Sequence, residues 1–154
     1  MEILFIAERV HKRSFMSVRA YQLIFTDTQI YFVNLGEDSS QMPIGAAGGI
    51  GGAIVQSISD KISEKNINKR LEELKSGQLD KVIINDKYSF KARYAQIESF
   101  EYNTVQTTFK WICVKFKIRE RGKYRFTAAD GELCEKIAEI IRQKRPDLMS
   151  QSIQ

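Results

Sequence analysis

The chain holds 154 residues, 43% hydrophobic and 28% charged, enough for one packed domain and too few for two. Two prolines and nine glycines exclude a collagen-like or proline-extended chain, and nine Phe, six Tyr and one Trp exclude a solvated tail. A net charge of +5 and a pI near 9.2 admit an anionic partner without requiring one.

The first part of the chain reads as strands. The start, Met-Glu-Ile-Leu-Phe-Ile, lacks the basic residues and long apolar stretch of a secretory signal, which predicts a cytoplasmic protein. Ile3 to Val10 is rich in aliphatic and aromatic residues, and Tyr21 to Thr26 is followed almost at once by Gln29 to Leu35. A two-residue turn at Asp27-Thr28 would place Phe25 opposite Ile30 and Leu23 opposite Phe32, with all four on one face, as a hairpin over a core requires.

The pattern changes between Gly36 and about Asp86. Ser39 to Ser59 holds no charged residue, the length of a bilayer helix, but its five glycines, Pro43 and several Ser and Gln residues favour a segment outside the bilayer. Gly45 to Ala53 is glycine-rich, and Ile54, Ile58 and Ile62 then recur at steps of four, one face of a helix. Leu71 and Leu74 continue a helical step among charged residues, and Gly77 supplies a C-terminal stop. Two helices, or one broken near Asn66-Ile67-Asn68, are predicted across 37–86 as an insertion after the third strand.

Strands return with Ser89 to Ala92 and Ile97 to Tyr102. Phe109 to Arg119 alternates, with Ile112, Val114, Phe116 and Ile118 on one face and Lys115, Lys117 and Arg119 on the other; Lys123 to Thr127 alternates likewise. A three-residue loop, Glu120-Arg121-Gly122, would pair Ile118 with Tyr124 and Phe116 with Phe126, keeping apolar and basic faces apart. A final helix, capped by Thr127 or Asp130, carries a stripe of Leu133, Ile137, Ile140 and Ile141. Acids stand near its start and Arg142, Lys144 and Arg145 near its end, and Pro146 closes it. Residues 146–154 are expected to fray. The expected fold class is α+β, mainly β: a seven-stranded antiparallel bent sheet or partly open barrel, with a helix covering its open end.

The strand order with the helix last, the run Tyr-Gln-Leu-Ile-Phe-Thr-Asp-Thr-Gln-Ile-Tyr-Phe at 21–32, and Tyr-Ala-Gln-Ile-Glu-Ser-Phe-Glu at 94–101 resemble the pleckstrin-homology-like superfamily, particularly its bacterial and GRAM-like branches. The resemblance covers residues 1–36 and 87–145 of one domain spanning 1–145. It implies a non-catalytic binding module, and in that family phosphoinositide-binding members place lysines and arginines in the loop between the first two strands.

Two basic groups are candidate sites. Lys115, Lys117, Arg119, Lys123 and Arg125 share one face of the last hairpin, where opposed like charges invite an anion. Arg9, Lys12, Arg13 and Arg19, with His11, flank Phe15, Met16 and Val18 in the expected first loop. In the insertion, Gly45, Gly49 and Ala53, with Gly48 and Gly52, repeat at steps of four and would form a smooth helix face for close contact. Glycine costs about 0.8–1 kcal/mol per helical position relative to alanine, so such a helix needs a partner surface.

Cys113 and Cys134 lack metal-ligand spacing and read as free thiols, so no metal and no cofactor is expected. One histidine and the absence of nucleophile-elbow, zinc-protease or phosphate-loop motifs leave no catalytic residue to name. Glu98 with Glu101 reads as an ordinary surface spacing. The function expected is therefore recognition of a protein partner or an anionic lipid surface, peripheral at the inner face of the membrane. The alternatives are a homo-oligomeric scaffold built through the glycine-rich helix and, from another class, a small enzyme or nucleotide-binding protein. Nucleic acid is not an expected partner, and no small-molecule substrate is indicated.

Overall fold

The computed structural model describes residues 2–14, 17–37, 72–73, 75–103, 114–128 and 131–151. Seven strands form one open antiparallel sheet: β1 (Ile3–Ser14), β2 (Ser17–Thr26), β3 (Gln29–Glu37), β4 (Phe90–Arg93), β5 (Ile97–Tyr102), β6 (Val114–Ile118) and β7 (Gly122–Thr127). Their spatial order is β4-β3-β2-β1-β7-β6-β5, so β1 joins the early hairpins to the late one, and the two edge strands follow one another in the chain through a 3-10 turn at Tyr94–Gln96.

The β2–β3 register is the one that the alternation predicts: Leu23 faces Phe32 and Phe25 faces Ile30, all four fully buried in the main core. Thr26 closes the turn. Its hydroxyl accepts from the Thr28 and Gln29 amides at 3.3 and 3.0 Å and donates to the Gln29 carbonyl at 2.8 Å. Phe32 lies at the centre, stacked on Phe90 at 4.4 Å and edge-on to Phe116 at 5.7 Å, geometries that suit the aromatic quadrupole.

Two helices cover the sheet. α1 (Gln78–Asn85) lies on the outer face of the first three strands, where Leu79 and Ile83, one turn apart, pack with Ile6, Ile24, Tyr31 and Val33 in a second, smaller core. α2 (Gly131–Lys144) buries Cys134, Ile137, Ala138, Ile140 and Ile141 in the main core, the stripe expected of it with Leu133 at its border. Lys144 donates to the Asp27 carbonyl at 2.8 Å, which places the end of α2 against the β2–β3 turn.

Several expectations change. Gly77 takes φ 79, which suits glycine at the end of the helical residues 75–76, but the chain turns helical again at once as α1, which the stop signal hid. The last hairpin pairs Phe116 with Tyr124 and Ile118 with Gly122, two residues from the expected register. The turn closes earlier, where Arg121 N–H donates to the Ile118 carbonyl at 3.0 Å, and the left-handed conformation falls on both Glu120 (φ 68) and Gly122 (φ 94). A shift of two preserves every side chain's face.

The tail does not fray from Pro146. Pro146–Gln151 form a 3-10 helix, Leu148 is buried in the main core, and Arg145 donates to the carbonyls of Tyr94 and Ile97 at 2.7 and 2.9 Å. Cys134 is disulfide-bonded rather than a free thiol; spacing along a sequence does not show which sulfurs a fold brings within reach. The chain's only other cysteine, Cys113, lies outside the described residues, as do the charge-free stretch 39–59 and most of the expected insertion. Among the described residues no helix is long and apolar enough to cross a membrane.

Candidate anion-binding face

Val114, Phe116 and Ile118 of β6 are buried, so Lys115 and Lys117 between them point outward. Antiparallel pairing then builds two rows across three strands. Ser99, Lys117 and Lys123 stand in one row, and Glu101, Lys115 and Arg125 in the next. Residues directly opposite have Cβ atoms about 5 Å apart, so each row juxtaposes two cations on β6 and β7.

A β-bulge supplies part of the counter-charge. Ile97 and Phe100 are three residues apart yet both buried, which a regular strand forbids, and the register slips between Ile97 and Ser99. The extra residue lets both Glu98 and Glu101 reach β6: Glu101 lies 3.1 Å from Lys115 and Glu98 lies 3.6 Å from Lys117. Both pairs are partly open to solvent, so each adds at most about 1 kcal/mol.

Among the described residues no acid reaches β7 in this way. Lys123 and Arg125 are exposed and have no acid partner among the described residues; Arg119, in the turn, donates its backbone N–H to the Gln96 carbonyl at 2.9 Å, and its side chain is likewise exposed. The expected five-cation face is thus divided. Lys115 and Lys117 are neutralised by β5, and the unmatched charge is concentrated on β7 and the turn. A depression of about 260 Å³ lies between the strands, lined by Ser99, Glu101, Lys115, Phe116, Lys117 and Lys123.

The second basic group is not a loop. β1 runs to Ser14 and β2 resumes at Ser17, so Arg9, Lys12, Arg13 and Arg19 all lie in strands. Lys12 pairs across β1–β7 with Phe126, which faces the core, and its ammonium lies 4.6 Å from the centre of the Tyr124 ring. Arg19, opposite Lys12 on β2, stacks its guanidinium 3.7 Å from the Tyr88 ring and reaches Asn34 and Glu37 at 3.3 and 3.8 Å. Arg121 lies 4.5 Å from the Phe90 ring. Arg9 is half-buried within the β1 bulge between Ala7 and Val10. Arg13 alternates with Lys12 and therefore shares the outer face with Arg125, so the β1–β7 ladder joins one member of the first group to the second.

Behind Arg19 a polar network fixes the turn from α1 into β4. Asp86 accepts from the Tyr88 amide at 3.1 Å, from Asn34 at 3.0 Å and from Ser89 at 2.8 Å, and Tyr21 donates its hydroxyl to the Tyr88 carbonyl at 3.2 Å. Burial opposes ionisation of Asp86, but these donors and the Arg19 charge outweigh it and hold the carboxyl below its usual range. Burial and the neighbouring Tyr124 push the Tyr21 hydroxyl up to about 12. These groups position ring and guanidinium.

Gly45, Gly48, Gly49, Gly52 and Ala53 lie outside the described residues. Among the described residues no three His, Cys, Asp or Glu side chains are grouped so that they could hold a metal. The sequence reading missed the part that Glu98, Ser99 and Glu101 play. The signal was the Ile97 to Phe100 spacing, which only a bulge can reconcile with two inward side chains. No known family's sequence model matches the chain, and no curated protein matches it.

Proposed function

We propose that this chain is a non-catalytic binding module of pleckstrin-homology-like type that docks on an anionic membrane surface. The seven antiparallel strands in this order, the helix after the third strand and the terminal helix in the core support the type. The observation that carries the membrane reading is the pair Lys123 and Arg125, exposed on β7 without acid partners among the described residues, next to the β1 strand that carries Arg13 on the same face. Cations at a surface of acidic lipids contribute about 1 kcal/mol each and lose it as salt rises.

The test is sedimentation with phosphatidylserine vesicles across a salt series. Wild-type protein binds at low salt and is released as salt rises. Lys123→Glu with Arg125→Glu abolishes sedimentation, with thermal unfolding unchanged. Binding by the double variant equal to wild type at low salt would remove the proposal.

A further inference from the structure

We infer that the depression between β5, β6 and β7 is a site for a phosphate monoester group, an inference that rests on the anionic-surface reading and names the headgroup chemistry it selects. A flat basic strip attracts any anion. This face differs in three ways.

First, its charges do not cancel. Lys115, Lys117, Lys123 and Arg125 stand against Glu98 and Glu101, which leaves two positive charges across the two rows. A phosphate monoester carries about −1.5 to −2 at neutral pH, whereas the phosphodiester of an ordinary phospholipid carries one negative charge, so the monoester is the better match.

Second, the row that lines the depression offers donors. The Ser99 hydroxyl, opposite Lys117, and the Lys123 ammonium, opposite it on the other side, have no side-chain partner among the described residues. The hydroxyl on β5 and the ammonium on β7 flank β6 and bracket the depression above it, and charge-assisted hydrogen bonds to tetrahedral oxygens are the strong ones.

Third, the carboxylates set the orientation. Glu101 lines the depression beside Lys115, and Glu98 holds Lys117, so an anion entering from solvent is kept off these two carboxylates and drawn towards the Ser99–Lys117–Lys123 row. The bulge that positions both acids thus shapes the site as well as neutralising β6. A monoester on a lipid headgroup and one on a small soluble molecule share this chemistry.

Two measurements separate these sources. In the first, vesicles containing phosphatidic acid, a monoester, are compared with phosphatidylserine vesicles matched in surface charge. In the second, glycerol 3-phosphate is titrated against the full chain and followed by the amide resonances of Ser99, Lys117 and Lys123. Expected are tighter binding to phosphatidic acid and saturable shifts at these amides. Ser99→Ala or Lys123→Gln should each weaken monoester binding about tenfold, the effect of one charge-assisted hydrogen bond. Equal binding to the two vesicles together with no saturable shift overturns the monoester site and leaves the membrane reading intact. No vesicle binding with saturable, Lys123-dependent shifts overturns the membrane reading and keeps the site for a soluble monoester. Failure of both removes both.

Discussion

Lys117 and Lys123 stand directly opposite one another across the β6–β7 ladder, and among the described residues only Lys117 has an acid, Glu98, at 3.6 Å. Two like charges in register are unfavourable, so the face is held partly by a carboxylate borrowed from a third strand and partly by solvent. This asymmetry gives the first prediction. Glu98→Gln removes an exposed ion pair and should change stability by no more than about 0.5 kcal/mol in urea denaturation. It should also strengthen sedimentation with anionic vesicles, because the array gains one net positive charge.

The centre of the fold is less forgiving. Phe32 of β3 is fully buried between Phe90, opposite it on β4, and Phe116 of β6. Phe32→Ala should cost about 3–5 kcal/mol, measured as a fall in the denaturant midpoint at unchanged slope.

Acid should act through Asp86. Its pKa is depressed in the folded state by the Tyr88, Asn34 and Ser89 donors and by Arg19, against the effect of burial. The stability it contributes is therefore present above the unfolded carboxyl value, about 3.9, and is lost as pH falls through the folded value. Asp86→Asn should lower the midpoint at neutral pH and flatten its decline below about pH 4, as followed by denaturation at a series of pH values.

Alkali should act through Tyr21, whose pKa is raised to about 12. A group with a raised folded pKa stabilises below its unfolded value, about 10, and that contribution disappears between the two values as pH rises. Tyr21→Phe should lose less stability across this window than wild type, measured by thermal unfolding, while giving up the hydrogen bond to the Tyr88 carbonyl.

The final turn of chain is structural. Leu148→Ala should cost about 2–5 kcal/mol, because Leu148 is buried in the main core. Arg145→Met should expose the β4–β5 corner to faster amide exchange, since its guanidinium ties the carbonyls of Tyr94 and Ile97. A frayed tail would leave both variants like wild type.

Much of the fold was legible because its signals are local. Alternation puts Leu23, Phe25, Ile30 and Phe32 on one face, and the two-residue turn at Asp27-Thr28 selects, among the registers that keep them there, the one in which Leu23 opposes Phe32 and Phe25 opposes Ile30. The isoleucine stripe of α2, bounded by its acids, its bases and Pro146, was readable for the same reason. α1 was not, because Gly77 signals an end and cannot show that the chain resumes a helix one residue later. The tail was misread because Pro146 ends an α-helix but says nothing about a 3-10 turn that can still bury Leu148.

For the candidate face, sequence alone determined composition and alternation: which cations share a side of β6 and β7, and that the two sides do not mix. The tertiary structure decided which of those cations an acid among the described residues matches. The Glu98 bulge depends on how β5 meets β6, and the meeting of the two basic groups depends on β1 pairing with β7, where Lys12 lies opposite Phe126, more than a hundred residues away in the chain. Contacts that distant are set by how the sheet closes over its core, and no run of neighbouring residues records them.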